Sequence, residues 1–222
     1  MIYLKGDFHI HSKYSFDSTM DPKQILKIVK SKGFDTVAIT DHNTIKGAVE
    51  AKKFEDDIGI RVIVGSEIRT DIGDLIGLKL EREIENTSWE MVISEIKDQG
   101  GFVVLPHPYR DHTMVDEVAK KVDSIEIWNA RCHFEQNDKA LELASSLNCN
   151  VIMGSDAHLY SELGNVCIQL DSKTLTTEKI FERKYATEWD IKRSQIIRHV
   201  RKGDIKKLIS SGRKYIWKKL NY

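Results

Sequence analysis

The chain has 222 residues, 41% of them hydrophobic and 31% charged, enough to bury one sizeable core without disulfide or metal staples. Its 34 Lys and Arg balance its 34 Asp and Glu, which excludes a protein that coats nucleic acid through total charge. That balance joins unlike parts, because residues 1–170 carry 19 basic and 28 acidic side chains and residues 171–222 carry 15 and 6.

The N-terminal residues MIYLKGDFHIHS reach charged side chains too early for a secretory signal. No apolar run approaches the roughly 18 residues of a membrane span. Cys132, Cys149 and Cys167 have no metal-finger spacing, and their odd number argues against a disulfide framework and for a reducing, cytoplasmic setting.

Short apolar runs alternate with helical patterns, the signature of a parallel α/β fold. In chain order, strands are expected at 3–10, 36–40, 61–66, 102–106, 124–128, 150–155 and 166–170. Asp21-Pro22 offers an N-cap and a first-turn proline for a helix to Lys32, which Gly33 ends. Further helices fit 44–57, 88–98 and 135–147, and 72–80 reads as a hairpin turning at Gly73-Asp74. About seven such repeats suggest a (β/α) barrel, with an open doubly wound sheet as the competing arrangement. Beyond Leu170 the pattern reads as helices at 176–184, 190–202 and 204–220. Residues 1–170 are therefore expected to form the barrel and 171–222 a basic helical extension packed on or beside it.

In a parallel barrel, functional side chains gather where strands end. The first strand ends in Asp7-Phe8-His9-Ile10-His11, and alternation puts His9 and His11 on one face as a chelating pair. Alone, such a pair is as readily a chance product of a polar alternation. Later strands end in Asp41-His42, Glu67, His107 and Asp156-Ala157-His158, while Asp17 lies in a loop able to fold over the same face. Imidazoles and carboxylates without thiolate suit Zn, Mn or Fe. Eight such groups exceed one ion's needs, so two or three ions are expected, with Glu67 as a bridge. Asp7 and Asp41 are placed to orient imidazoles by hydrogen bonds, although capping or solvation explains them equally well.

These motifs, Asp7-Phe8-His9-Ile10-His11-Ser12, Thr40-Asp41-His42-Asn43-Thr44, Gly65-Ser66-Glu67, His107-Pro108 and Gly154-Ser155-Asp156-Ala157-His158, resemble the PHP family, the polymerase and histidinol phosphatase superfamily of metal-dependent phosphoesterases. The resemblance covers roughly residues 1–170. It implies a distorted (β/α)7 barrel with a trinuclear site at its C-terminal face. His9, His11, Glu67 and Asp156 would hold one ion, Glu67 and His107 a second, and Asp17, His42 and His158 a third. The second ion takes a further ligand near 125–133, where the Glu-x-x-Asn pattern makes Asn129 the first choice and His133 the alternative. Cys132 is read as a small buried hydrophobe.

The implied reaction is hydrolysis of a phosphomonoester or nucleotide-type substrate by a metal-bridging hydroxide, with Asp17, His42, Glu67, Asp156 and His158 taking part in catalysis. Arg131 and Arg110 are candidate phosphate clamps or solvated surface residues. A nuclease or nucleic-acid-end phosphatase, and a catalytically silent metal-binding regulatory module, are the alternatives. The basic C-terminal helices either pack with a solvated face or meet nucleic acid or an anionic surface, and Tyr215 and Trp217 among Lys214, Lys218 and Lys219 suit such contact.

Overall fold

The computed structural model describes residues 2–204 and Lys207. The chain runs β1 (Tyr3–Ile10), α1 (Pro22–Ser31), β2 (Thr36–Ile39), α2 (Lys46–Lys52), α3 (Glu55–Ile58), β3 (Arg61–Arg69), β4 (Asp74–Leu78) and α4 (Trp89–Asp98). It continues through β5 (Phe102–Leu105), α5 (Val115–Ala119), β6 (Ser124–Asn129), α6 (Phe134–Leu147), β7 (Asn150–Gly154), β8 (Val166–Asp171), β9 (Thr177–Arg183) and α7 (Glu188–Arg201). Local chemistry sets α1 as expected: the Asp21 carboxylate accepts from the Gln24 amide at 3.2 Å, and Ile25, Leu26 and Val29 form its buried stripe.

The nine strands form one sheet in the order β7-β6-β5-β4-β3-β2-β1-β8-β9. β1, β2 and β3 are parallel, as are β5, β6 and β7; β4 lies between the two groups, antiparallel to both neighbours. The far edge then curls back to the start. Ile10 pairs in parallel with Ala157, and the Ser155 amide donates to the Asp7 carboxylate at 3.1 Å. The result is a nearly closed, barrel-shaped sheet with helices around it. One apolar cluster joins Phe8, Ile76, Val104, Ile125 and Ile152. A second packs Ile25, Val29, Ala48 and Ala51 of α1 and α2 on Val37 and Ile39 of β2.

Several expectations change. Residues 177–183 form a strand, β9, where a helix was expected. The Asp171 carboxylate accepts from the Lys173 and Thr174 amides at 2.9 Å each, turning the chain back on itself, and β9 pairs along the open edge of β8. The extension therefore begins as sheet. β8 runs antiparallel to β1 and so is not a parallel stave. The expected hairpin has β3, continued to Arg69, as its first arm, and the expected 44–57 helix is broken into α2 and α3. α7 does form, with Thr187 capping it through the Asp190 amide at 3.1 Å. Apart from Asp204 and Lys207, the expected helix at 204–220 lies outside the described residues. No described helix is long and apolar enough to cross a membrane.

Candidate metal centre

His9 and His11 (β1), His42 (after β2), Glu67 (β3), His107 (after β5), and Asp156 and His158 (after β7) converge at one end of the barrel. All but His42 are buried. Asp17 reaches them from the loop between β1 and α1. His107 and Asp156 take left-handed backbone, with φ +30° and +53°, a strain of about 1–3 kcal/mol each that concentrates at functional sites. Gly154 ends β7 where a Cβ would overlap the His9 side chain and the Glu126 carboxylate.

Glu67 stands at the centre. Its Oε1 is 2.9 Å from His107 Nε2, while its Oε2 lies 3.3 Å from His11 Nε2, 3.1 Å from His42 Nδ1 and 3.6 Å from His9 Nε2. Asp156 Oδ1 is 3.2 Å from His11 Nε2 and 3.6 Å from His9 Nε2. Asp17 reaches His42 Nε2 at 3.4 Å and His158 Nε2 at 3.3 Å. Four sets of ligand atoms cluster within 4.8 Å: His11, Asp17, His42 and His158; His9, His11 and Glu67; His9, His107 and Asp156; and Glu67, Asp74 and His107.

The residues fit metal ions by a direct test. His9 Nε2, His11 Nε2, Glu67 Oε2 and Asp17 Oδ1 are buried and lack a hydrogen-bond partner. Buried polar atoms are ordinarily satisfied, and an orphan costs about 1–3 kcal/mol. The orphans of His9 and His11 face the Glu67 oxygen at 3.6 and 3.3 Å, and that of Asp17 faces His158 Nε2 at 3.3 Å.

The opposite ring nitrogens are tied down, which fixes the imidazole orientation. His9 Nδ1 donates to Glu126 Oε1 at 2.9 Å, and His158 Nδ1 to the Asp156 carbonyl at 2.7 Å. His11 Nδ1 donates to Ser15 Oγ at 3.1 Å, whose hydroxyl donates to Asp41 at 2.7 Å. Asp41 thus acts on an imidazole only through Ser15, and also accepts from the Ser12 amide and hydroxyl at 2.6 Å each. Asp7 accepts from the amides of His9 and Ser155 and orients no ring.

Glu126 ties three parts of the site together. Besides His9 it accepts from the His107 amide and from Asn129 Nδ2, both at 2.9 Å. Its signals in the sequence are the Glu-x-x-Asn pattern it opens and a charge between Ile125 and Ile127 on a buried strand. Glu162 is also buried and binds the amides of His158 and Leu159 at 2.8 and 2.9 Å.

Electrostatics follow this packing. Burial disfavours the His9 cation, yet Glu126, Asp156 and Glu67 outweigh it and hold His9 well above the ordinary imidazole range. His42 is raised to about 9, Glu67 and Asp17 overcoming its burial. Burial, with His158 and His42 nearby, pushes His11 down to about 3. Burial opposes ionisation of Glu67 and Asp156, but His42 and His9 hold the first, and Arg110 and His9 the second, well below the usual carboxylate range.

The remaining expected residues stand around this cluster. Asn129 is buried, its Nδ2 also 3.3 Å from Asp156 Oδ2 and its Oδ1 accepting from the Arg131 amide at 2.9 Å. His133 is exposed at the start of α6. Arg110 pairs with Asp156 Oδ2 at 2.6 Å. Arg131 pairs with Glu162 at 3.0 Å and binds Ser194 of α7. Cys132 is buried, as expected.

The family model for the PHP domain matches residues 7–187. An uncharacterized protein of Methanocaldococcus jannaschii, MJ1587, is 44% identical over 141 residues, covering 57% of this chain and 82% of that protein. Among solved structures, PsfC of Pseudomonas syringae superposes with a TM-score of 0.65 at 17% identity, over 90% of this chain and 99% of that one. A two-domain protein of Bacteroides vulgatus containing a predicted PHP-like metal-dependent phosphoesterase gives 0.63 at 20% identity, over 76% of this chain and 58% of that one. The structural likenesses show a shared fold, and the match over residues 7–187, on a barrel whose strand ends gather His, Asp and Glu into clusters, places the chain in the PHP domain family.

Proposed function

We propose that the protein is a hydrolase that cleaves a phosphoester of a small phosphorylated or nucleotide-type substrate at a di- or trinuclear site. The observation that carries this reading is the convergence of unpartnered, buried His9 Nε2, His11 Nε2, Glu67 Oε2 and Asp17 Oδ1. His9, His11, Glu67 and Asp156 would hold one ion; Glu67 and His107, with Asn129 beside them, a second; and Asp17, His42 and His158 a third. The two oxygens of Glu67 face different histidines, as a bridging carboxylate requires. When bound, divalent ions of the Zn, Mn or Fe kind activate water and neutralise charge on phosphoryl oxygens.

The chain's own residues prepare for this. Glu126, Ser15 and the Asp156 carbonyl each accept a hydrogen bond from one ring N–H, so that His9, His11 and His158 turn their other nitrogen toward the cluster. Arg110, bound to Asp156 at the wall of the cleft, is placed to share its guanidinium with a phosphoryl oxygen.

The test is a phosphate-release screen of the protein reconstituted with Zn, Mn or Fe, across sugar phosphates, nucleotides, histidinol phosphate and short oligonucleotides. Turnover with at least one substrate, lost in His9→Ala and Asp156→Ala, is expected. Metal binding without release from any would favour a regulatory module.

A further inference from the structure

The second ion is the one left short of protein ligands. Glu67 and His107 alone would reach it, where His9, His11, Glu67 and Asp156 would hold the first and Asp17, His42 and His158 the third. The residues that the sequence offers to complete it are engaged elsewhere. Asn129 Oδ1 accepts from the Arg131 amide at 2.9 Å and from Arg110 at 3.5 Å, while its Nδ2, a donor only, binds Glu126 and Asp156. His133 is exposed and caps α6.

The reversed strand supplies another carboxylate. Parallel strands bring their last residues to the cluster, whereas β4 runs the other way and brings its first. That residue is Asp74, which stands opposite Arg69 in the β3–β4 ladder, as Ile76 stands opposite Glu67. Alternation puts these four side chains on one face of the hairpin, the face that carries Glu67 to the site. An Asp74 oxygen lies within 4.8 Å of ligand atoms of both Glu67 and His107. Both neighbours have atoms to spare, since Glu67 Oε2 and His107 Nδ1 are buried without a hydrogen-bond partner.

The backbone holds Asp74 in this position. Gly73, at φ +138°, turns the chain where a Cβ would overlap the His112 ring, and His112 Nε2 lies 2.7 Å from the Asp74 carbonyl. Among the described residues, the Asp74 side chain pairs only with Arg69, at 3.2 Å, and the Arg69 side chain is mostly exposed. Such a pair holds a carboxylate weakly. Asp74 lines the cleft over the cluster, where its bare charge would repel a phosphoester; a cation shared with Glu67 and His107 removes that repulsion.

We propose that Asp74 is a ligand of the second ion, joining Glu67 and His107, while Asn129 orients the carboxylates beside them. This rests on the metal-dependent reading above and not on which substrate is cleaved. Two carboxylates and an imidazole suit the same Zn, Mn or Fe ions as the rest of the cluster.

The test counts ions in the full chain loaded with Zn, by elemental analysis and by titration against a chromophoric chelator. Asp74→Ala should lose one ion per chain, or hold its weakest ion at least about tenfold less tightly, because even the orienting partner of a ligand is worth about 10–100-fold. Asp74→His, which returns a nitrogen ligand, should recover most of that loss. Arg69→Gln, which breaks the ion pair and spares the carboxylate, should load like the unaltered chain. Unchanged loading and affinity in Asp74→Ala overturns the assignment. So does an equal loss in Arg69→Gln, which would make Asp74 a brace of the hairpin. Should circular dichroism show Asp74→Ala unfolded, Asp74→Asn, which keeps the shape and removes the charge, carries the same comparison. Ion counts do not depend on turnover. Loss of the ion in a protein that releases phosphate from no substrate keeps Asp74 as a ligand and sinks the hydrolytic reading, whereas turnover with full loading in Asp74→Ala does the reverse.

Discussion

Glu126 and His9, 117 positions apart in sequence, meet at 2.9 Å, the carboxylate holding the ring nitrogen that faces away from the His, Asp and Glu cluster. Glu126→Gln keeps the shape and removes the charge. It should lower metal affinity by about 10–100-fold while the far-ultraviolet circular dichroism stays unchanged. Competition against a chromophoric chelator measures this, and unaltered affinity would refute the orienting role.

Protonation should oppose metal binding. In the metal-free protein His42 is raised from 6.5 to about 9 and His9 well above its ordinary value, both shifted toward the cation. Metal binding must expel these protons, and affinity should climb from pH 7 to 9. Calorimetry in buffers of different ionisation enthalpy should show proton release. The stability effect has the opposite sign: a raised imidazole pKa favours the metal-free fold fully below about 6.5, and that contribution is lost as pH rises through about 9. Chelator-treated protein should therefore melt at lower temperature at pH 9 than at pH 6.5.

Arg201 binds the backbone of the loop that carries Asp17. Arg201→Ala should loosen Asp17 from His42 and His158, leaving the remaining ligands in place. Elemental analysis of the loaded variant should find one ion fewer per chain. Full occupancy would show that the loop holds its place without α7.

Gly154→Ala drives a methyl group into His9 and Glu126. Overpacking of this kind costs about 1–3 kcal/mol. Here it should also displace a ligand, so denaturant titration should show the loss of stability and chelator competition a weakened site. A variant with wild-type metal affinity would argue that the strand end yields easily.

Cys132 should be inert in the folded state. Burial pushes its thiol up to about 12, and only the thiolate reacts readily. Iodoacetamide at pH 8 should modify Cys132 in denaturant but not in native protein, as peptide mass mapping would show.

Much of the centre could be read from sequence because parallel strands deliver side chains to one end. An apolar run followed by His or a carboxylate therefore marks a side chain that the barrel brings to the cluster, as at His9, Glu67 and Asp156. What escaped depends on partners far along the chain. Glu126 sits inside a strand and declares itself only when β1 lies nearby. Ser15, a small residue in a loop, becomes the link between Asp41 and His11 only after folding. β9 lacks a buried face of its own, so its identity comes from the open edge of β8 rather than from periodicity. The reach of Arg201 to the loop at residues 13–18 has no local signature.

The reversed strand β4 bears on the order of assembly. In the β3–β4 hairpin, paired residues are 5 to 13 positions apart, from Arg69 with Asp74 to Gly65 with Leu78, whereas closure at Ile10 and Ala157 joins residues 147 apart. Chain entropy makes the short loop far easier to close. Glu67 lies within that hairpin, opposite Ile76. The central carboxylate thus belongs to the most local piece of the sheet, and the histidines of β1 and the loop after β7 are brought to it as the barrel shuts.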